Sequence, residues 1–274
     1  MAGQQIQNDP IYSLPYLYIQ GMNLSVASTT LLAIAPGQCR DSNDVIDMPI
    51  GYPNLQGTTN PPTLFQGYIP PLYVNTAING ANGLDSGTIA ASTQYAVYVI
   101  GDSRGNNQVA GLLSLTSNAY PLVPTGYDSL RLIGFVATDS SSHLLATSLL
   151  NSSKLRAFYL QPPVSVLSAG TATTFTAIDL SGAIPTTTDL NVIAYLYVVF
   201  IPAAAGDLAE LRPTGSTATT GLTTITGAAA GVPQSQYVQV ICGVGSSKPE
   251  IDYLVSSSSD SLTISVAGYS YTTT

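Results

Sequence analysis

Along most of the chain apolar and polar positions alternate with a period of two, and few windows repeat every three or four residues. The clearest case is SLTISV at 261–266, where Leu262, Ile264 and Val266 alternate with Ser261, Thr263 and Ser265. That spacing sends one row of side chains into a core and the other outward from a strand. Further strand signals lie at 28–34, 95–100, 111–116, 131–138, 173–178, 191–201 and 237–244. The run VIAYLYVVFI at 192–201 is apolar at every position and reads as a buried strand; it is about half as long as a helix that crosses a bilayer, so no membrane insertion is expected. Turn-forming clusters separate the strands: NGANG at 79–83, GDSRGNN at 101–107 and SSSSD at 256–260. No stretch sustains a helical period, which predicts an all-β chain.

With 274 residues the chain has room for two ordinary β domains. The stretch NSSKLRAFYLQPP at 151–163 places a polar cluster with Lys154 and Arg156 ahead of a double proline, which marks a boundary. The prediction is two β-sandwich domains of jelly-roll-like form, over 23–155 and 156–274. Residues 1–22 differ from both. Their segment IYSLPYLYIQGM carries three tyrosines and Pro15 with no clean period, so it is either an extended arm laid across a neighbour or the first edge strand. Ile11, Tyr12, Leu14, Tyr16, Leu17, Tyr18 and Ile19 are too apolar to stay in water, and they are the candidate interaction residues.

Composition narrows the function classes. Charged residues make up 8% of the chain, about a third of the usual share. Ser, Thr, Gly and Ala occupy surface that Lys and Glu normally hold, which suits faces covered by other subunits because there is little charge to desolvate. The net charge of −8, with only 7 Lys and Arg, excludes a phosphate-tracking stripe and predicts no nucleic-acid partner. Cys39 and Cys242 read as two buried free thiols in different domains. The first ten residues, MAGQQIQNDP, lack the basic and apolar regions of a Sec signal, so the expectation is synthesis in a cytoplasm.

One motif suggests chemistry. In YVIGDSRGNN at 98–107 a β-branched run ends in Gly-Asp-Ser, as in hydrolases of the GDSL type. Those enzymes build an α/β domain and place an Asp-x-x-His pair near its end. Here Ser103 lies mid-domain, and the only histidine, His143, follows Asp139 by four residues. Asp102, Ser103, Gly105 and Asn106 are better read as a hairpin loop, and His143 as an exposed loop residue. Asp41, Asn43, Asp44 and Asp47 offer hard oxygens but lack the glycine and terminal glutamate of an EF-hand, and they read as a solvated loop partly neutralised by Arg40. Nothing selects the carboxylate pairs Asp179 with Asp189, or Glu250 with Asp252, for glycoside hydrolysis. No catalytic residue, cofactor or metal is predicted.

The residues also carry a resemblance. The stretch 24–150, with IAPGQCRDSNDVIDM, NGANGLDSGTIAASTQYAVYVIGD and PTGYDSLRLIGFVATD, resembles a β module of virion structural proteins of tailed bacteriophages, of the tail-fibre or head-fibre type. RAFYLQPPVSVLS, TTFTAIDLSGAIP and SLTISVAGYSY are similar to the second β module that follows it. The resemblance implies a non-enzymatic, homotrimeric component of the virion, made in the host bacterial cytoplasm and mounted on other phage proteins. A short tail fibre or tail-attached appendage is the first role it implies. Capsid decoration or head fibre is the other. A receptor-binding module for host-surface glycan is a separate reading, for which tyrosine-rich loops and the Asp and Asn side chains near Asp41 to Asp47 would serve.

Overall fold

The computed structural model describes residues 14–15, 18–51, 70–118, 120–151, 155–186, 192–221, 223–243 and 248–272. All regular structure among them is β, as the period-two patterning requires. The described residues up to Asn151 form one compact unit, and those from Leu155 onward form another.

The first unit contains β1 (Ile19–Gly21), β2 (Leu24–Ser28), β3 (Leu31–Ile34), β4 (Gly37–Arg40), β5 (Asp47–Ile50), β6 (Leu72–Asn75), β7 (Gly83–Leu84), β8 (Gln94–Gly101), β9 (Ala110–Leu115), β10 (Ser129–Ala137) and β11 (Ala146–Asn151). Its sheets run β1-β4-β5, β2-β3-β6 and β10-β8-β9-β7. The last carries the core, because β8 is buried on both faces. Val97 and Val99 face one side with Leu113, opposite Ile34, Val74, Ile46 and Met48. Close approach depends on Gly111: a Cβ there would lie 2.4 Å from a Val74 methyl and 3.1 Å from Ile34. On the other side Ile100, Ala110 and Leu112 form a smaller core under Tyr98, Tyr127, Leu130 and Ala81.

The second unit contains β12 (Leu155–Gly170), β13 (Thr176–Asp179), β14 (Val192–Ile201), β15 (Leu208–Pro213), β16 (Thr223–Thr226), β17 (Gln234–Ile241), β18 (Glu250–Val255) and β19 (Ser261–Thr272). One sheet carries the order β12-β19-β14-β17 and the other β13-β18-β15-β16. Leu196, Val198, Phe200, Leu262, Ile264 and Val266 from the first sheet are fully buried, as are Ala209, Ile251 and Val255 from the second. Phe158 stacks on Tyr269 and Tyr271 at centroid distances of 5.0 and 5.8 Å, which adds aromatic packing to simple area burial.

Several expectations need correction. The strand expected at 28–34 contains a tight turn at Thr29 and Thr30, so it is split between β2 and β3. The strand expected at 237–244 starts at Gln234 and ends at Ile241. The stretch at 151–163, read as a domain boundary, contains the division between the two units, but most of it is strand β12, where the register shifts between Tyr159 and Val164 and the break in the ladder absorbs Pro162 and Pro163. The N-terminal segment is not a free arm where it is described. Ile19 pairs with Cys39 in β1, the edge strand of its sheet, and Met22 is fully buried. The Tyr18 carbonyl accepts the Arg40 N–H at 2.9 Å, and the Leu14 N–H donates to the Asp47 carboxylate at 3.2 Å. Leu14, Tyr18 and Ile19 therefore belong to the first unit, while Ile11, Tyr12, Tyr16 and Leu17 lie outside the described residues.

Candidate functional site

The apolar run at 192–201 is buried on one face only. Val192, Ala194, Leu196, Val198 and Phe200 point into the core, and Ile193, Tyr195, Tyr197, Val199 and Ile201 point outward and stay partly exposed. A strand apolar on both faces belongs between two covered layers, so an uncovered second face is the exception that needs an explanation. The strand register shows what surrounds it. Tyr197 lies across from Tyr237 on β17, and Ile193 across from Ile241. On the other side Ile201, Val199, Tyr197 and Tyr195 lie across from Ser261, Thr263, Ser265 and Gly268 of β19. Tyr159 of β12 pairs with the same Gly268.

Gly268 shapes this surface. A Cβ there would lie 2.2 Å from the Phe158 carbonyl oxygen, so β12 and β19 meet at this point only because the side chain is missing. Over the bare position Tyr159 and Tyr195 lean together, with ring centroids 5.8 Å apart. Tyr197 and Tyr237 make a second pair at 5.0 Å. Tyr237 is 72% exposed and Ile241 53%, although both are large apolar-bodied side chains on a regular strand.

The charges of this unit lie elsewhere. On the outward face of the β13-β18-β15-β16 sheet, Asp179 lies across from Glu250, and Arg212 lies across from Asp252 and next but one along β15 to Glu210. Arg212 donates to Asp252 at 3.1 Å and sits 3.6 Å from the centre of the Phe175 ring. Lys248 pairs with Asp179 at 2.7 Å. Among the described side chains on the outward face of β12, β19, β14 and β17 there is none with a charge. The result is a uniformly uncharged patch of tyrosine, aliphatic and hydroxyl groups on one side of the unit.

The residues considered for catalysis do not assemble. Asp102 is buried and accepts N–H groups from Arg104, Asn106 and Asn107 at 3.0–3.1 Å, together with the Asn107 amide, so it holds the 101–107 loop closed. The Ser103 hydroxyl donates to Asp128 at 2.5 Å. His143 is exposed and its Nδ1 lies 3.5 Å from Asp139 within its own loop. Ser103 follows the last residue of β8, whereas the Asp139 carbonyl accepts an N–H from Ser92, just ahead of the first residue of β8. The eight residues of that strand, at about 3.3 Å each, separate serine and histidine by roughly 25 Å. The two cannot share a proton.

The acidic loop keeps Asn43 and Asp44 exposed and is partly neutralised by Arg40, as expected of a solvated loop, but its first carboxylate is turned inward. Asp41 is fully buried and accepts N–H groups from Asn43, Val45 and Ile46 at 3.0, 2.6 and 2.8 Å. Arg40, also buried, reaches Asp44 at 2.7 Å and Asp47 at 3.0 Å. These oxygens close the loop on itself, and among the described residues no group of three or more His, Cys, Asp and Glu could hold a metal ion. Of the carboxylate pairs, Glu250 and Asp252 are successive outward positions on β18, Asp252 is bound by Arg212 and Thr214, and Asp189 lies outside the described residues. Cys39 and Cys242 are both buried and form no disulfide, and burial pushes the Cys242 thiol up to about 12.

Sequence patterning missed the tyrosine-bearing face because both rows of β14 are apolar, which hides the alternation. The legible signal was the pairing of that run with QSQYVQVI at 234–241 and SLTISV at 261–266, neither of which has a charged outward residue. No protein-family model, curated protein or solved structure matches this chain.

Proposed function

We propose that the chain is a structural and interaction protein of a tailed-bacteriophage virion: two β domains, jelly-roll-like in form, serving as a short tail fibre or tail-attached appendage. The observation that carries the interaction role is the uncharged, tyrosine-bearing sheet face of the second unit. Such a face loses little by desolvation and gains by burying aromatic and aliphatic area, which is the composition of an interface centre. The virion setting rests on the resemblance of the quoted β segments alone. A non-enzymatic role is supported by the separation of Ser103 from His143 and by the self-contained bonding of Asp41, Asp102 and Asp252.

Capsid decoration or head fibre would use the same face in the same way. Receptor binding through a neutral host glycan is favoured by one specific feature, the open ring of Tyr237 beside hydroxyl groups, since tyrosine faces stack on sugar rings. Immunogold imaging of particles from the source culture tests the virion reading. Label on the particle is the expected outcome; label confined to the soluble fraction would overturn it.

A further inference from the structure

The tyrosine-bearing face has relief as well as composition, and the relief points to one occupant. Outward residues of β14 and β17 form a ridge: Tyr197 and Tyr237 at its middle, Val199 and Ile201 toward one end. Beside it the outward residues of β19 form a furrow of small side chains, Ser261, Thr263 and Ser265, continued by Ser165 of β12 across from Ser265. The Tyr159–Tyr195 pair closes one end of the furrow. Ridge and furrow run side by side, one strand apart, on a single face.

We infer that this face seats a second copy of the same chain, the Tyr197–Tyr237 ridge of one lying in the Ser261–Ser265 furrow of the other. The inference rests on the interaction role proposed above and names the partner. Three observations favour a like copy. A surface that contacts itself must be complementary to itself, and an adjacent ridge and furrow of equal length satisfy that condition. No described side chain on the face is charged, so copies meet there without like-charge repulsion, although the chain carries a net −8. The size also fits. Four strands about 4.8 Å apart and nine residues at about 3.3 Å span roughly 550 Å² in projection, and side-chain relief raises this toward the roughly 800 Å² per partner of a standard interface.

Face-to-face seating would bring two sheets to the spacing of about 10 Å found inside sandwiches, with side chains interleaved. Tyrosine hydroxyls from the ridge would then meet serine and threonine hydroxyls in the furrow, which fixes register between otherwise non-directional surfaces. The Tyr159–Tyr195 pair is stacked, so those two rings cover part of each other's faces, whereas Tyr197 and Tyr237 are tilted against each other.

Sedimentation of the full chain, with Tyr237→Glu on the ridge, Ser265→Glu in the furrow and Thr224→Glu as a control on the other sheet, tests this. The expected result is an oligomeric wild type, a dissociation constant raised roughly thirtyfold or more by either of the first two changes, and no effect of the third. Thermal unfolding of each variant, held dilute enough to be monomeric, checks that the fold is intact. A wild type that is monomeric, or variants that fold and keep its mass, would overturn the inference. Particle incorporation separates the two proposals. A Tyr237→Glu protein with unchanged mass that no longer incorporates leaves the interaction role standing and removes self-association; unchanged mass with normal incorporation removes both. A monomeric wild type that binds neutral polysaccharide through Tyr237 would assign the face to glycan.

Discussion

At the residue scale the chain spends its few carboxylates on closing loops. Asp41, Asp102 and Asp139 each accept backbone N–H groups from residues just downstream, and Asp260 accepts one from Ser257 just upstream, so a loop of poor intrinsic order is tied by one charged side chain. For Asp102 burial by itself would raise the carboxyl, but the Arg104 N–H, the Arg104 guanidinium and the Asn107 amide outweigh it and hold the group below the ordinary carboxylate value. A carboxyl depressed in the folded state adds stability above its unfolded value near pH 4, and that stability is lost as pH falls through the folded value. Asp128 and Asp139 are held low as well, Asp128 chiefly by the Ser103 hydroxyl and Asp139 chiefly by the His143 N–H. Melting the protein from about pH 7 down to about pH 2.5 should therefore show a falling acid limb. Asp102→Asn should melt lower at neutral pH, because an amide NH₂ would face N–H donors, and its acid limb should be shallower than that of the wild type. An acid limb of unchanged slope would mean that Asp102 is not depressed.

At the element scale the deciding strands are β1 and β14. Because β1 pairs with β4 and Met22 is buried beyond it, deleting residues 2–22 should destabilise the first unit by at least the burial of that side chain, about 1.5–3 kcal/mol, whereas deleting 2–13 leaves β1 in place. Urea titration of the two deletions is the measurement. Equal stability would return residues 14–22 to the status of a detachable arm. Strands with a clean alternation, such as β19, and those bounded by Gly-Asp or Asn-Gly turns, such as β8, were legible in the sequence because local pattern and tertiary environment agree there. Three others were obscured for physical reasons. The tripeptide-length β1 is too short to show a period, Pro162 and Pro163 hide strand β12 inside what reads as a domain boundary, and β14 is apolar on both faces, so its sequence announces burial that a single copy only half supplies. In the acidic loop only the inward turn of Asp41 was hidden, because a row of Asp, Asn and Ser looks the same whether its oxygens face water or the backbone beneath.

At the scale of the whole molecule, scarcity of charge and its placement matter more than its sign. Apart from Arg156 of β12, the second unit keeps its strand charges on one sheet, where Arg212, Asp252, Glu210, Asp179 and Glu250 stand, and the described outward side chains of the other sheet carry none. One consequence concerns the medium in which the protein works. Contacts between charged groups weaken as dissolved ions shorten the Debye length from about 30 Å at 0.01 M to about 3 Å at 1 M, but a face without charge has nothing for those ions to screen. Whatever seats on it should hold equally in dilute water and in brine, and more firmly in sulfate, which strengthens apolar burial. Association measured across that range should be flat in sodium chloride and should tighten in ammonium sulfate; a steep loss with sodium chloride would place the contact on the charged side instead. A joint of this kind needs no constant surroundings, and it would survive a change of ionic strength without being rebuilt.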